Sequence, residues 1–210
     1  MIDYQLIDKF LFFPDKGILV VGDLHIGYEN SLKQAGILMP ERQIKDIIKE
    51  IKDIFKKLKQ EKKEIKKIIF IGDIKHAFSF ESKEVYEFKQ VIKFLETLLP
   101  KKDIILIKGN HDTIDYTFEG KMKEFHREED IGFIHGDKII KKAFDGKIKL
   151  VVMGHLHPSI ILQKGAKKET YRCFLIGKSF SKVFITMPSF LNFFEGTPVN
   201  FYKENYVGGF

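Results

Sequence analysis

Five short runs of apolar, mostly β-branched residues each lead into a glycine-containing segment that carries histidine, aspartate or asparagine. The runs are Gly17–Val21, Lys67–Ile71, Asp103–Ile107, Ile131–Ile134 and Lys149–Met153. Continuous apolar runs of this length are typical of strands that are covered on both faces. Ligand sites of open α/β sheets collect beyond the carboxyl ends of the strands. The sequence therefore predicts a buried sheet with five polar loops converging on one edge.

A helix is predicted between the first and second of these strands, and another between the second and third. From Pro40 to about Lys59 the apolar residues recur on one helical stripe, and Pro40 followed by Glu41 predicts the start of that helix. A second helix is predicted over about Glu81–Leu99, where Pro100 ends it. Strands alternating with helices indicate the α/β class.

The pattern changes after Pro158. Strands are predicted over Glu169–Ile176 and Ser181–Thr186, joined by a turn that contains Gly177. The chain has no internal repeat and no Gly/Ser/Pro-rich linker, and its length of 210 residues suits one domain. We therefore expect a single domain over residues 1–210.

Composition bears on the charge of the substrate, the cellular compartment and membrane association. The 36 Lys+Arg against 29 Asp+Glu leave a net charge of +7, which suits an anionic substrate without requiring one. Cys173 is the single cysteine, so no internal disulfide can form, and a reducing compartment is favoured. The N-terminal residues lack the pattern of a signal peptide, and no apolar run approaches the ~18 residues of a membrane span. These features predict a cytoplasmic protein without membrane association.

The polar segments after the strands contain ten candidate site residues. In chain order these are Asp23 and His25 (GDLH), Asp73 and His76 (GDIKH), Asn110, His111 and Asp112 (GNHD), His135 (HGD), and His155 and His157 (GHLH). Imidazole nitrogens with carboxylate or amide oxygens are ligands that borderline divalent metals prefer. Ten candidate ligands are too many for one tetrahedral metal ion and about the right number for two. The set therefore predicts a two-metal hydrolase.

Each motif alone has a simpler interpretation. An Asp-x-His or Gly-Asp segment after a strand is usually a turn or a helix cap. His155 and His157 would face opposite ways on an extended segment, so both reach one cluster only from a loop, which Gly154 and Pro158 favour. The occurrence of all five motifs at strand ends favours the metal site over five separate turns.

The order D-x-H, G-D-x-x-H, G-N-H-D, H-G-D, G-H-x-H resembles the calcineurin-like metallophosphoesterase superfamily, over roughly residues 20–158. The segment GDIKH, with His76 three residues after Asp73, is similar to the branch that contains the SbcD-like repair nucleases and their small archaeal relatives. The later segments MPSF (187–190) and EGTPVN (195–200) are also similar to those small relatives. The resemblance implies a four-layer α/β/β/α metallophosphoesterase sandwich, with two metals on the rim between the sheets.

The same resemblance implies how the ligands divide between the two metals. One metal would take Asp23, His25, Asp73 and His157, and the second would take Asp73, Asn110, His135 and His155. The Asp73 carboxylate would bridge them and offset part of their repulsion. The nucleophile would be a metal-bridging hydroxide, because a bound cation lowers the pKa of water. Manganese is the expected metal, and Fe, Ni, Co or Zn also suit such ligands.

Three residues would then act on the substrate and not on the metals. His111 would stabilise charge on phosphorus and protonate the leaving oxygen. Asp112 would hold the His111 imidazole in the required tautomer, and a turn-forming role for it is equally consistent with the sequence. His76 would be a second positive group near the scissile phosphate, as the nuclease branch implies.

The function expected from these residues is a phosphodiesterase or nuclease. The first alternative is a phosphomonoesterase, and the second is a non-catalytic metal-binding scaffold, which the complete ligand set and His111 argue against. The expected partner is a phosphate ester substrate, and the sequence leaves the oligomeric state open. Because the lysines are scattered and no arginine-rich arm is present, we expect weak, salt-dependent nucleic-acid binding that favours single strands or short oligonucleotides.

Overall fold

Two five-stranded sheets form the centre of the computed structural model, which describes residues 2–79, 81–113, 122–192 and 195–201. The strands in chain order are β1 (Gln5–Ile7), β2 (Phe10–Phe13), β3 (Ile18–Val21), β4 (Lys67–Phe70), β5 (Ile104–Leu106), β6 (His126–Glu128), β7 (Ile131–Phe133), β8 (Leu150–Met153), β9 (Pro158–Lys164), β10 (Lys167–Arg172), β11 (Leu175–Ser179), β12 (Lys182–Thr186) and β13 (Thr197–Pro198). The α-helices are α1 (Tyr28–Gln34), α2 (Gln43–Gln60) and α3 (Ser82–Glu96).

Each large sheet has parallel central strands; the first has an antiparallel edge on the β1–β2 side only, and the second has one on each side. The first has the order β1-β2-β3-β4-β5, in which β3, β4 and β5 run parallel. The second has the order β11-β12-β8-β7-β6, in which β12, β8 and β7 run parallel. Val21 pairs with Phe70, and Phe70 pairs with Leu106, so the loops that follow β3, β4 and β5 leave the sheet at one level. A smaller sheet, β10-β9-β13, follows the second GHLH histidine.

The two large sheets pack face to face on an apolar core. Alternate residues of the central strands point into it, because successive side chains of a strand face opposite ways. It includes Leu11, Phe13, Val20, Ile69, Ile71, Ile105, Phe133, Leu150, Val152 and Ile185. This core fixes the first sheet relative to the second, so the loops at their shared rim are held in register.

The outer faces of the two sheets are covered differently. The apolar stripes of α2 and α3 pack on the first sheet and bury residues such as Ile51 and Phe88. The second sheet is covered, within the described ranges, by a 3₁₀ helix (Lys141–Phe144) and adjoining loop residues. The predicted α/β class is thus confirmed. The layer outside the second sheet is short and 3₁₀-helical where the structure describes it.

All five predicted apolar strands are present, divided between the two large sheets. Three details of the prediction were wrong: the start of the first long helix, the turn at Gly177, and the strand over Glu169–Ile176, which is split between β10 and β11 of different sheets. Helix α2 begins at Gln43 and not at Pro40, because the Glu29 carboxylate accepts the backbone N–H groups of Arg42 and Gln43 at 3.0–3.1 Å. That side chain supplies acceptors for N–H groups that have no partner at the start of a helix.

None of the described helices has the length and apolar character needed to cross a membrane.

The turn predicted around Gly177 lies elsewhere. Gly177 is inside β11, paired with Phe184, and the hairpin turns at Phe180 and Ser181. Both turn residues have positive φ, 49° and 58°. Two-residue hairpin loops favour that conformation because it matches the twist of the strands.

Candidate metal centre

The polar loops predicted to converge do meet at the rim between the two sheets. Four of their residues, His25, Asp73, His155 and His157, have positive φ of 46°, 44°, 66° and 45°. Non-glycine residues rarely adopt this conformation, and it concentrates at functional sites. His155 and His157 therefore lie in a loop, so that their rings need not face opposite ways as they would on a strand.

Asp23 is fully buried beneath this rim and is surrounded by imidazoles. Its carboxylate lies 3.3 Å from His157 Nε2 and 3.3 Å from His135 Nδ1, and it accepts the backbone N–H of His155. Burial alone would raise the pKa of Asp23. The neighbouring His157, His135 and His25 outweigh that effect and hold the pKa well below its usual range. Asp23 is therefore an anion at neutral pH.

Asp73 lies where two sets of donor atoms meet. One set consists of His25, Asp73 and His157, and the other of Asp73, His135 and His155; within each set the donor atoms lie within 4.8 Å of one another. Asp73 Oδ2 is 3.8 Å from His25 Nε2 and 3.4 Å from His135 Nε2. A single carboxylate thus contributes to both sets.

His135 is oriented by a contact behind the site. Its Nδ1 lies 2.9 Å from the carbonyl oxygen of Ile71, and a carbonyl only accepts, so Nδ1 carries the hydrogen. Nε2 then faces Asp73 and the Asn110 side-chain oxygen, which is 3.0 Å away. Burial disfavours charge on His135, but Asp73 and Asp23 raise its pKa to about 9. A metal bound at Nε2 would displace a proton from this ring.

His25 and His157 form a second facing pair, with Nε2 atoms 3.4 Å apart. Burial lowers the pKa of His25 to about 4, so this ring is neutral at neutral pH. A neutral imidazole is the form that binds a metal. The donors at the rim comprise buried carboxylates, an amide oxygen and imidazoles, and this mixed set fits two divalent cations that share Asp73.

His111 lies beside these two sets, with a defined tautomer. Its backbone N–H donates to Asp73 Oδ1 at 3.0 Å, and its Nδ1 donates to the carbonyl oxygen of His76 at 2.5 Å. Nε2 is left 3.9 Å from Asp73 Oδ2. The His76 ring stacks on His111 with centroids 5.6 Å apart. Burial lowers the pKa of His76, which disfavours the positive charge that the sequence led us to expect there.

Asp112 links two of the loops at the site by accepting hydrogen bonds from their backbones. Its buried carboxylate accepts backbone N–H groups of Gly109 at 2.9 Å, Ile74 at 3.1 Å and Lys75 at 3.3 Å. Burial raises its pKa to about 6. Within the described residues the Nδ1 of His111 contacts the His76 carbonyl and not Asp112. These contacts favour the turn-forming role over control of the His111 tautomer.

A residue that the sequence analysis did not select braces the loop of His25. Gln43 is buried, donates from Nε2 to the carbonyl oxygens of Leu24 and His25 at 3.0 and 2.7 Å, and accepts the N–H of Gly27 at 3.1 Å. The available signal was a polar residue four positions before Ile47, on the apolar stripe of α2.

Residues 17–141 match the model of the family described as calcineurin-like phosphoesterase. No curated protein matches the chain in sequence.

Among solved structures, the nuclease MPE of Pseudomonas putida is 19 % identical and has a TM-score of 0.63, covering 93 % of this chain and 91 % of that one. Vacuolar protein sorting 29 of Cryptosporidium parvum is 16 % identical with a TM-score of 0.42, covering 82 % of this chain and 73 % of its own. Vps29 of Entamoeba histolytica, complexed with Zn²⁺, is 16 % identical with a TM-score of 0.41, and the match covers 82 % of this chain and 73 % of that one. The first of these likenesses shows a shared fold.

Proposed function

This chain belongs to the calcineurin-like phosphoesterase family, and from that premise we propose that it is a binuclear metal-dependent phosphodiesterase or nuclease. Membership in a family of phosphoesterases supports hydrolysis of phosphate esters in general. One observation carries the finer proposal: two sets of metal-binding donor atoms share the buried carboxylate of Asp73. A shared carboxylate is the ligand that two adjacent cations need, because it offsets part of their repulsion.

The proposed ligands divide between the two donor sets. His25, Asp73 and His157, with Asp23 against His157, would hold one cation; Asp73, His135 and His155, with Asn110 against His135, would hold the other. Such cations act as Lewis acids that polarise phosphoryl oxygens and make water a stronger acid. We propose manganese as the metal, with Fe, Ni, Co and Zn as alternatives that the mixed N/O set accepts.

His111 is proposed to act as the proton donor. Its Nδ1 hydrogen is committed to the His76 carbonyl, which leaves Nε2 as the atom able to exchange a proton. Nε2 is 3.9 Å from Asp73, so a phosphate held by the cations that share this carboxylate would lie within its reach. Histidine is the side chain that most often transfers protons to and from reacting groups in enzymes.

A diester is preferred over a monoester in this proposal because two imidazoles stack beside the shared carboxylate. A diester carries a second ester group where a monoester has a charged oxygen, and the imidazole of His76 adds a hydrogen-bond donor or acceptor for that group beside His111. We therefore expect His76→Ala to reduce diesterase activity more than any monoesterase activity.

The test compares a bis-ester and a mono-ester of one chromogenic phenol. Protein stripped with a chelator is reloaded with Mn, Fe, Ni, Co or Zn, and wild type and His76→Ala are assayed on both esters. His126→Ala is the matched control, since His126 lies in β6 and bonds to Glu128 outside the rim. A preference for the mono-ester supports the phosphomonoesterase alternative. No turnover with any metal supports the non-catalytic scaffold.

A further inference from the structure

The ring stack at the rim continues outward from His111 to an exposed phenylalanine. Phe78 packs on the His111 imidazole with centroids 4.0 Å apart and ring planes at 28°. The rings of His76, His111 and Phe78 are thus roughly parallel, with His111 touching both. Phe78 nevertheless remains 57 % exposed, so much of its ring surface is open to solvent.

Single exposed apolar residues are common, so exposure alone does not indicate a function. The backbone around Phe78 supplies a second observation. Thr113 Oγ1 donates to the Phe78 carbonyl at 2.6 Å, and the buried ammonium of Lys75 donates to the carbonyls of Ala77 and Ser79, the latter at 3.0 Å. Three consecutive carbonyl groups are therefore held by side chains. The backbone that carries Phe78 is thus held in place, and the Phe78 ring itself rests on His111.

A fixed, exposed aromatic ring beside a proposed proton donor suits one class of substrate. Aromatic side chains bind single-stranded nucleic acids by stacking on the bases, and any base can be accepted because each has a π-face. A pre-ordered platform loses little freedom on binding. The phosphate would lie on the Asp73 side of His111, and the next base would lie on the Phe78 side.

We propose that Phe78 is a substrate-contacting residue that stacks on the nucleobase next to the scissile phosphate. The substrate class is then a nucleotide diester, either a short oligonucleotide or an unpaired strand, because a base within a duplex is already stacked on its neighbours. This inference rests on the proposed phosphodiesterase function and adds to it the chemical class of the ester.

Two matched dinucleotides test the proposal. One carries a base on each side of the phosphate, and the other replaces one nucleoside with an abasic tetrahydrofuran residue. The metal-loaded wild type is compared with Phe78→Ala, Phe78→Leu and Phe78→Trp, and kcat and KM are measured separately. Tyr86→Ala is the control variant, since Tyr86 is a 66 % exposed aromatic residue on α3.

Binding provides a readout that does not depend on turnover. A phosphorothioate dinucleotide with 2-aminopurine as the base reports stacking through its fluorescence, with metal-loaded and with metal-stripped protein. We expect Phe78→Ala to weaken binding of the base-bearing compound roughly 5- to 100-fold, the range of base–aromatic stacking, and to leave the abasic compound nearly unchanged. Phe78→Trp should retain the base preference, and Phe78→Leu should lose most of it.

Two results would overturn the inference. Equal binding and turnover of both dinucleotides by wild type would show that no base is stacked. An equal loss on both in Phe78→Ala would show that Phe78 only orients His111. If wild type hydrolyses neither dinucleotide with any metal, the phosphodiesterase proposal fails by itself, and the fluorescence of the bound 2-aminopurine compound still decides the role of Phe78.

Discussion

Backbone strain at the rim is concentrated in residues whose side chains form the two sets of donor atoms. His25, Asp73, His155 and His157 have positive φ, whereas other described non-glycine residues with positive φ, such as Lys62 and Phe180, lie in turns. Each such residue costs about 1–3 kcal/mol and persists only where its surroundings determine it. The loops of both sheets are therefore held in conformations that serve the side-chain cluster.

Asp73→Asn tests the shared carboxylate with little change in shape. Asparagine tolerates positive φ, and its Oδ1 can still accept the His111 N–H. Loss of the charge should weaken both cation sites, so metal analysis after gel filtration should give fewer than two equivalents. Asp53→Asn, at an exposed ion pair on α2, is the control and should bind metal like wild type. Unchanged double occupancy in Asp73→Asn would contradict the shared role.

His111→Ala separates catalysis from metal binding. Since His111 is assigned to proton transfer and not to a cation, metal content and unfolding midpoint should stay close to wild type. The value of kcat should fall roughly 10²–10⁴-fold, as expected for loss of a positioned acid. If metal content falls while turnover per bound metal is preserved, His111 is a metal ligand. The structure offers a geometry for that alternative, because donor atoms of His25, His76 and His111 lie within 4.8 Å of one another.

At the scale of elements, the sequence predicted what depends on local pattern. The five apolar strands and both long helices follow from the apolar pattern, and the candidate site residues follow from their positions after those strands. The start of α2 depended on Glu29, which is remote in sequence, and α1 has no apolar stripe of its own. The roles of Gln43 and Asp112 depend on which backbone groups come near, and residue type alone does not specify that.

Helix α3 carries a buried acid that should make stability depend on pH. Glu84 is 3 % exposed; its Oε1 accepts the Ala77 N–H at 2.9 Å, and its buried Oε2 has no hydrogen-bond partner within the described residues. Burial raises its pKa to about 7. The folded state therefore holds this proton at pH values where the unfolded chain, with its pKa near 4.5, has released it. The resulting loss of stability is absent below pH 4.5 and complete above pH 7.

Glu84→Gln should remove that dependence. At pH 8 the variant should be more stable than wild type by about 1–3 kcal/mol, and at pH 4.5 the difference should disappear. Urea unfolding of metal-stripped protein at both pH values measures this, and Glu96→Gln, at the exposed end of α3, is the control. A variant that is equally destabilised at both pH values would show that the side chain matters for packing and not for its charge.

At the scale of the molecule, the site belongs to neither sheet alone. Asp23, Asp73 and Asn110 follow strands of the first sheet, whereas His135, His155 and His157 follow strands of the second. The apolar core between the sheets therefore determines the distances among the ligands. Because the proposed ligands come from both sheets, bound metal should also oppose separation of the sheets, and metal-loaded protein should unfold at higher temperature than stripped protein.

Net charge sets what the whole surface can contribute to nucleic-acid binding. The excess of +7 is modest, and exposed lysines such as Lys83 and Lys138 already pair with Glu41 and Glu124. Binding should therefore resemble non-specific binding, with Kd on the order of 10⁻⁴–10⁻⁶ M at physiological salt and a steep loss of affinity as salt increases.

Three titrations of metal-stripped protein measure this: one with a labelled single strand, one with the duplex, and one with an uncharged-backbone oligonucleotide of the same sequence. We expect single strands to bind better than duplexes, because unpaired bases can reach Phe78, and the uncharged oligonucleotide to bind least. Nanomolar duplex binding by protein that sedimentation shows to be monomeric would contradict this prediction, whereas the same affinity in a dimer would show that the second copy contributes to the binding surface.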